Sequence, residues 1–324
     1  MEPITPIYIL SGFLGSGKTT LLTRLIAHWK ERGLKPAVIM NEIGEVNIDG
    51  LAADSDVPTS EMLSGCICCT IRSNLPSELA MLIKREQPDV IVIEATGIAN
   101  PMEILDATAE ASLYMRIDVR QMITVIDSAH LLTLHAEQKG KTYRLMQEQI
   151  RAATLLVLNK TDRINEQEQG VVKSVVQRWN PHAPILSTVK CELDIQAALA
   201  TDGDFGDIRL SSIERSHPAH DHDSHEHVMS YTYYFSHPVN SVAFERFVAN
   251  LPRDVYRAKG ILSFSDTNSR FLFQYAFRES DYMKITPPES VPDVAVFIGE
   301  HFHKSELKQQ LQSLERNGCN AEEA

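Results

Sequence analysis

The chain has 324 residues, enough for about two domains, each with its own core. Its composition, 43% hydrophobic and 23% charged, excludes a disordered or collagen-like polymer. Lys and Arg total 31 against 43 Asp and Glu, and the resulting net charge of −12 argues against a broad nucleic-acid-binding surface.

Ile7–Leu10 reads as a strand, followed by a glycine-rich loop and a helix from about Lys18 to Glu31. That helix carries Leu21, Leu22, Leu25, Ile26 and Trp29 at helical spacing and closes at Gly33. A second strand is expected at Ala37–Met40, and an amphipathic helix from near Ser73 with Leu75, Leu79, Leu82 and Ile83 on its apolar face. Asp89–Glu94, Met122–Asp127 and Thr154–Asn159 read as buried strands, with Ile185–Thr188 a weaker one. Continuous apolar strands alternating with helices predict an α/β domain, a mostly parallel sheet covered on both faces, over residues 1–205.

Residues 206–229 break that pattern. Ser216–His227 holds five histidines among acidic and small residues and offers no apolar face, so it reads as a linker. Beyond it, residues 230–324 predict a smaller α+β domain. Its strands are placed at Ser230–Ser236, Ile261–Phe264, Phe271–Phe277 and Val294–Gly299, and its helices at Val242–Leu251 and Lys304–Glu315. No apolar run approaches ~18 residues, so no membrane span is expected. Met1–Gly12 lacks a basic leading region and runs into the glycine-rich loop, so no secretory signal is expected either.

Gly12-Phe-Leu-Gly-Ser-Gly-Lys18-Thr19 fits G-x-x-x-x-G-K-[ST] after a strand and before a helix. Glycines Gly12, Gly15 and Gly17 let main-chain N–H groups turn inward around phosphates, and the helix N-terminus adds partial positive charge. Lys18 is expected on the β- and γ-phosphates and the Thr19 hydroxyl on Mg²⁺; Ser16 and Thr20 complete the loop. Asn159-Lys160-Thr-Asp162 follows a strand; a carboxylate at Asp162 accepts from guanine N1–H and N2, a donor pair that adenine lacks. GTP is therefore expected over ATP, although a four-residue match also fits a helix cap.

Glu94 ends a strand, where a carboxylate meets Mg²⁺ or its water shell, and Gly97 lets the main chain approach the γ-phosphate. Asn41–Gly50 reads as a switch loop with Asp49 near the metal. Ordinary strand-end acidity is the alternative for both segments. Asp127, which also ends a strand, is given no role.

Five cysteines are present, three of them, Cys66, Cys68 and Cys69, within four residues, with Cys191 and Cys319 apart. An odd, clustered count suits a reducing cytoplasm better than an extracellular disulfide framework. Three thiolates with one exchangeable ligand suit Zn²⁺ or Cu⁺. A redox pair of Cys66 with Cys68 or Cys69, or a turn of small buried residues, are the alternatives.

GFLGSGKTT, NEIGEVNIDG, GCICC, EATG and NKTD together resemble the CobW-like GTPases, as do Tyr256–Ile261 and Val296–Gly299 in the second domain. Ile43 and Ala95 depart from that family's usual residues. The resemblance implies a P-loop fold, with phosphates held by Gly12–Thr20 and guanine by Asn159, Lys160 and Asp162. It further implies a transition metal at Cys66, Cys68 and Cys69, with Glu42 as an additional ligand, and GTP hydrolysis coupled to delivery of that metal to a client metalloprotein. Zinc is the expected metal, with Co²⁺ or Ni²⁺ as alternatives. A cobalt-handling or metalloenzyme-activator GTPase and a nucleotide-regulated storage or thiol-sensor protein remain open readings. The histidine run delivers metal or is merely solvated.

Overall fold

Strand β1 (Thr5–Ser11) is buried at every position, and its alternation divides the first core. Ile7 and Ile9 enter one hydrophobic cluster while Tyr8 and Leu10 enter the cluster on the opposite face. A side-chain period of two with both sets apolar is possible only where both faces of the sheet are covered. The computed structural model describes residues 3–40, 57–61, 67–200, 229–276, 278–288, 291–300 and 302–319.

Around β1 lie β2 (Pro36–Met40), β3 (Thr59–Glu61), β4 (Val90–Glu94), β5 (Ile117–Asp127), β6 (Leu155–Asn159) and β7 (Ile185–Ser187). They form one seven-stranded sheet in the order β3-β2-β4-β1-β5-β6-β7, and every pair is parallel. Helix Lys18–Glu31 covers one face with Leu21, Leu22 and Leu25. Helices Ile67–Glu86 and Pro101–Ala111 cover the other with Leu75, Leu79, Ile104 and Leu105. Each such side chain stabilises the domain by roughly 1.5–3 kcal/mol when fully buried. The sheet carries the C-terminal ends of β1, β4 and β6 to one edge, where an open α/β sheet binds ligands.

The second sheet is antiparallel, ordered β11-β10-β9-β12-β8, from β8 (Met229–Tyr234), β9 (Val255–Ser263), β10 (Arg270–Ala276), β11 (Glu279–Ile285) and β12 (Val294–Gly299). Phe244 of helix Ser241–Ala249, Leu307 and Leu311 of helix Lys304–Cys319, and strand residues Phe273 and Phe297 fill its core on one face. On the other face Ile261, Val294, Val296 and Ile298 join the cluster of helix Pro101–Ala111. The two sheets therefore share a hydrophobic cluster. Tyr234 locks the junction: its hydroxyl donates toward the Met115 and Ile117 carbonyl oxygens and accepts from Ile117 N–H, each at 2.9 Å. Arg257 pairs with Asp106, and Lys259 with Glu110 at 3.3 Å.

Several expectations need correcting. The helix after the cysteine cluster begins at Ile67, not near Ser73, so Cys68 and Cys69 lie on its first turn rather than in a preceding loop. Pro76 lacks an N–H and is easiest to place in a first turn, but here it stands inside the helix, which Leu75, Leu79 and Leu82 anchor on the sheet. Strand β5 starts at Ile117, five residues before the apolar run, because half-buried Asp118 and Arg120 neutralise each other at 3.4 Å. Strand β11 has no counterpart among the expected strands: as a solvated edge it is mostly charged or polar and shows no alternation. The expected linker lies outside the described residues apart from Met229. Among the described residues no helix is long and apolar enough to cross a membrane.

Candidate nucleotide site

The loop between β1 and helix Lys18–Glu31 turns through Gly12, Gly15 and Gly17, all with positive φ. At Gly12 a Cβ would collide with the Val125 carbonyl oxygen, and at Gly17 with the Asn159 side-chain nitrogen. Both positions therefore exclude side chains on space as well as on conformation. No side chain caps the helix, so its first N–H groups face the loop interior with the positive end of the helix dipole. The Ser16 hydroxyl is fully buried and meets no hydrogen-bond partner among the described residues. A buried donor left this way costs about 1–3 kcal/mol, which an anion in the loop would recover.

Lys18 is 5% exposed, and its ammonium lies 3.4 Å from the Phe13 carbonyl oxygen. Thr19 donates through Oγ1 to Glu94 Oε1 at 3.0 Å, which joins the start of the helix to the end of β4. Glu94 is 7% exposed. A hydroxyl and a carboxylate so placed are the hard oxygen donors that Mg²⁺ selects, and these two residues fit that ion. Gly97 is buried beyond them; a Cβ there would sit 2.6 Å from Leu14 N, so the segment after β4 directly abuts the phosphate loop. Thr20 is exposed at the start of the helix.

At the end of β6, Asn159 and Lys160 turn toward the phosphate loop. Asn159, 2% exposed, donates to Ser16 O at 2.8 Å. Its Oδ1 accepts from Cys191 N–H at 3.0 Å and from the Thr188 hydroxyl at 3.3 Å. Lys160, left-handed at φ 59, donates to Gly15 O at 2.7 Å and to Asp127 Oδ2 at 2.6 Å. Asp162 lies in the 3-10 turn Thr161–Arg163, exposed and without a partner among the described residues, its carboxylate available to a base.

Two residues without a role in the sequence now have one. Asp127 caps helix Ser128–Glu137 by accepting from His130 N–H at 3.1 Å while binding Lys160. Burial opposes its ionisation, but the Lys160 ammonium and the His130 N–H outweigh it and hold the carboxyl below its ordinary value. Cys191, fully buried and left-handed, closes the loop after β7 against Asn159 and lies 3.5 Å from Gly17 O. Burial pushes its thiol up to about 11, so this is a packing thiol and not a nucleophile. Its only sequence signal was isolation from the cysteine cluster.

Glu42, Asp49 and Cys66 lie outside the described residues, and of Cys68 and Cys69 only the helical backbone is described. Among the described residues no three His, Cys, Asp or Glu side chains gather to hold a metal.

The chain is similar to several known proteins. The zinc chaperone YeiR of Escherichia coli (strain K12) is 38% identical over 180 residues, 54% of this chain and 51% of that protein. Zinc-regulated GTPase metalloprotein activator 1 of Dictyostelium discoideum is 31% identical over 234 residues, 60% of this chain and 48% of its own length. The chain thus spans about half the length of these two relatives. The zinc chaperone YjiA of Escherichia coli (strain K12) is 28% identical over 330 residues, 98% of this chain and all of YjiA. The crystal structure of Zn(II)-bound YjiA GTPase from E. coli matches 97% of this chain and 99% of its own, at a TM-score of 0.47 and 23% identity. Residues 6–187 match the CobW/HypB/UreG nucleotide-binding domain and residues 228–315 the cobalamin synthesis protein cobW C-terminal domain. The chain belongs to the CobW/HypB/UreG family and carries a CobW-type C-terminal domain.

Proposed function

We propose that this chain is a GTP-hydrolysing metallochaperone that binds zinc at Cys66, Cys68 and Cys69 and gives it to a client metalloprotein in a nucleotide-dependent way. The observation that carries the reading is the Thr19–Glu94 hydrogen bond of 3.0 Å inside a phosphate loop that no side chain could enter at Gly12 or Gly17. Glycine N–H groups, Lys18 and the helix N-terminus bind the phosphates, and Thr19 and Glu94 would hold Mg²⁺. Asp162 reads guanine. Phosphoryl transfer asks the protein mainly to position water and neutralise charge, and this set does so without an obvious general base. Mg²⁺ supplies charge neutralisation when bound.

The zinc reading is supported by relatives that carry the names zinc chaperone and zinc-regulated GTPase, together with three cysteines in four residues. Cys68 and Cys69 stand at the start of helix Ile67–Glu86, whose C-terminal end leads into β4 and Glu94. GTP binding tightens the thiolate site and hydrolysis loosens it. Zinc affinity of the full chain, by competition with a chromogenic chelator, is the test: it is expected to be higher with a non-hydrolysable GTP analogue than with GDP. It falls in all states when the three cysteines become serine. Equal affinity in every nucleotide state would remove the coupling.

A further inference from the structure

We propose that Gln149 is the positioning residue of the Gly97 loop and thereby sets how well the site distinguishes GTP from GDP; this rests on the GTPase reading above. Gln149 belongs to helix Lys141–Arg151, outside every nucleotide motif and 52 residues from Gly97, and is 1% exposed. Its side-chain amide donates to Gly97 O at 3.2 Å and to Ala99 O at 3.4 Å. The main-chain carbonyl of Gln149 accepts from the Thr124 hydroxyl of β5 at 3.0 Å, so the helix that carries the amide is tied to the sheet.

The Gly97–Ile98 peptide is held at both ends. Its oxygen meets Gln149, and its N–H donates to Thr96 Oγ1 at 3.3 Å. One peptide plane fixed at oxygen and nitrogen has a single orientation, and Gly97 then presents its main chain to Leu14 of the phosphate loop. Only the γ-phosphate separates GTP from GDP, and Gly97 is the main-chain segment beyond Glu94 that abuts the loop. A loop that must reorganise before meeting that phosphate loses binding energy to the cost of ordering, whereas a pre-set one does not. A buried amide has no water to fall back on, so both of its donors are committed to this task.

The test uses the full chain with Mg²⁺ and two variants. Gln149→Glu keeps the shape but turns a carboxylate oxygen toward two carbonyls; Gln149→Met keeps the bulk and removes the donors. For each, dissociation constants for GDP and for a non-hydrolysable GTP analogue are measured alongside kcat and KM for GTP. GDP affinity is expected to stay within about twofold, while analogue affinity and kcat fall by about tenfold, the scale of one or two neutral hydrogen bonds. Acidification from about pH 8 to about pH 6 should restore part of the discrimination in Gln149→Glu, because a buried carboxyl protonates in that range and regains a donor. Gln149→Met should show no such recovery. Unchanged discrimination in both variants, or parallel loss of both nucleotides, overturns the inference. If the parent chain distinguishes the nucleotides but does not hydrolyse GTP, the GTPase reading fails while the binding ratio still tests Gln149.

Discussion

The side-chain amide of Asn159 donates to the main-chain oxygen of Ser16 across 2.8 Å, so the segment after β6 and the phosphate loop form one hydrogen-bonded unit. The same side chain accepts from Cys191 N–H and the Thr188 hydroxyl, which brings in the loop after β7. The phosphate loop, 143 residues away in sequence, and the loops after β6 and β7 thus converge on a single buried amide.

Asn159→Asp replaces the donor facing Ser16 O with an oxygen of the same size. The buried mismatch should cost about 1–3 kcal/mol of stability and weaken GDP at least as much as it weakens the chain. Urea unfolding and nucleotide titration of the variant check both.

Thr19→Ala and Glu94→Gln each remove one oxygen partner assigned to Mg²⁺. Both variants should still bind GDP without the metal, while the Mg²⁺ concentration at half-saturation rises by about tenfold. Metal titrations of nucleotide affinity decide the matter; an unchanged Mg²⁺ dependence in Glu94→Gln would remove that residue from the site.

Cys191 should resist alkylation in the folded chain at neutral pH and react only on unfolding, read by peptide mass mapping. Its thiol holds its proton up to about 11 when folded, against an ordinary 9.0. A group raised on folding contributes stability that is complete below the ordinary value and is lost as pH climbs to the folded one. Stability should therefore decline between those two values, and Cys191→Ser should flatten that part of the pH–stability curve.

Tyr234→Phe deletes the hydroxyl that meets Met115 O, Ile117 O and Ile117 N–H at the junction of the two sheets. Ile117 N–H keeps its bond to Met115 O at 3.0 Å, so losing the hydroxyl should cost about 0.5–1.5 kcal/mol, with the C-terminal sheet opening first. Hydrogen exchange should accelerate in β8 and β12 before it does so in β1 or β4.

Particular residues show what was readable in advance. Helix Lys18–Glu31 has the bounds its leucine spacing predicts, because its apolar face matches a covered sheet. Strand β11 was illegible, since charge on an edge erases the alternation that marks a strand. In the first half of β5, by contrast, buried Ile117 and Val119 do alternate with half-buried Asp118 and Arg120, and the continuous apolar run after them set the expected start too late. In the candidate site, the spacing of Gly12, Gly17, Lys18 and Thr19 was visible in advance, because phosphate binding would call for those residue types at fixed intervals. Asp127, Gln149 and Cys191 were not, as their roles lie in partners far along the chain.

Local pattern alone determined the class of both domains, the phosphate loop and the cysteine cluster, because each depends on neighbours within a few residues. Tertiary structure decided which groups meet: Thr19 with Glu94, Asn159 with Ser16, Lys160 with Asp127 and Gln149 with Gly97. The physical reason is that a parallel sheet aligns the ends of strands distant in sequence, and buried polar groups at that edge must find partners there or forfeit their hydrogen bonds.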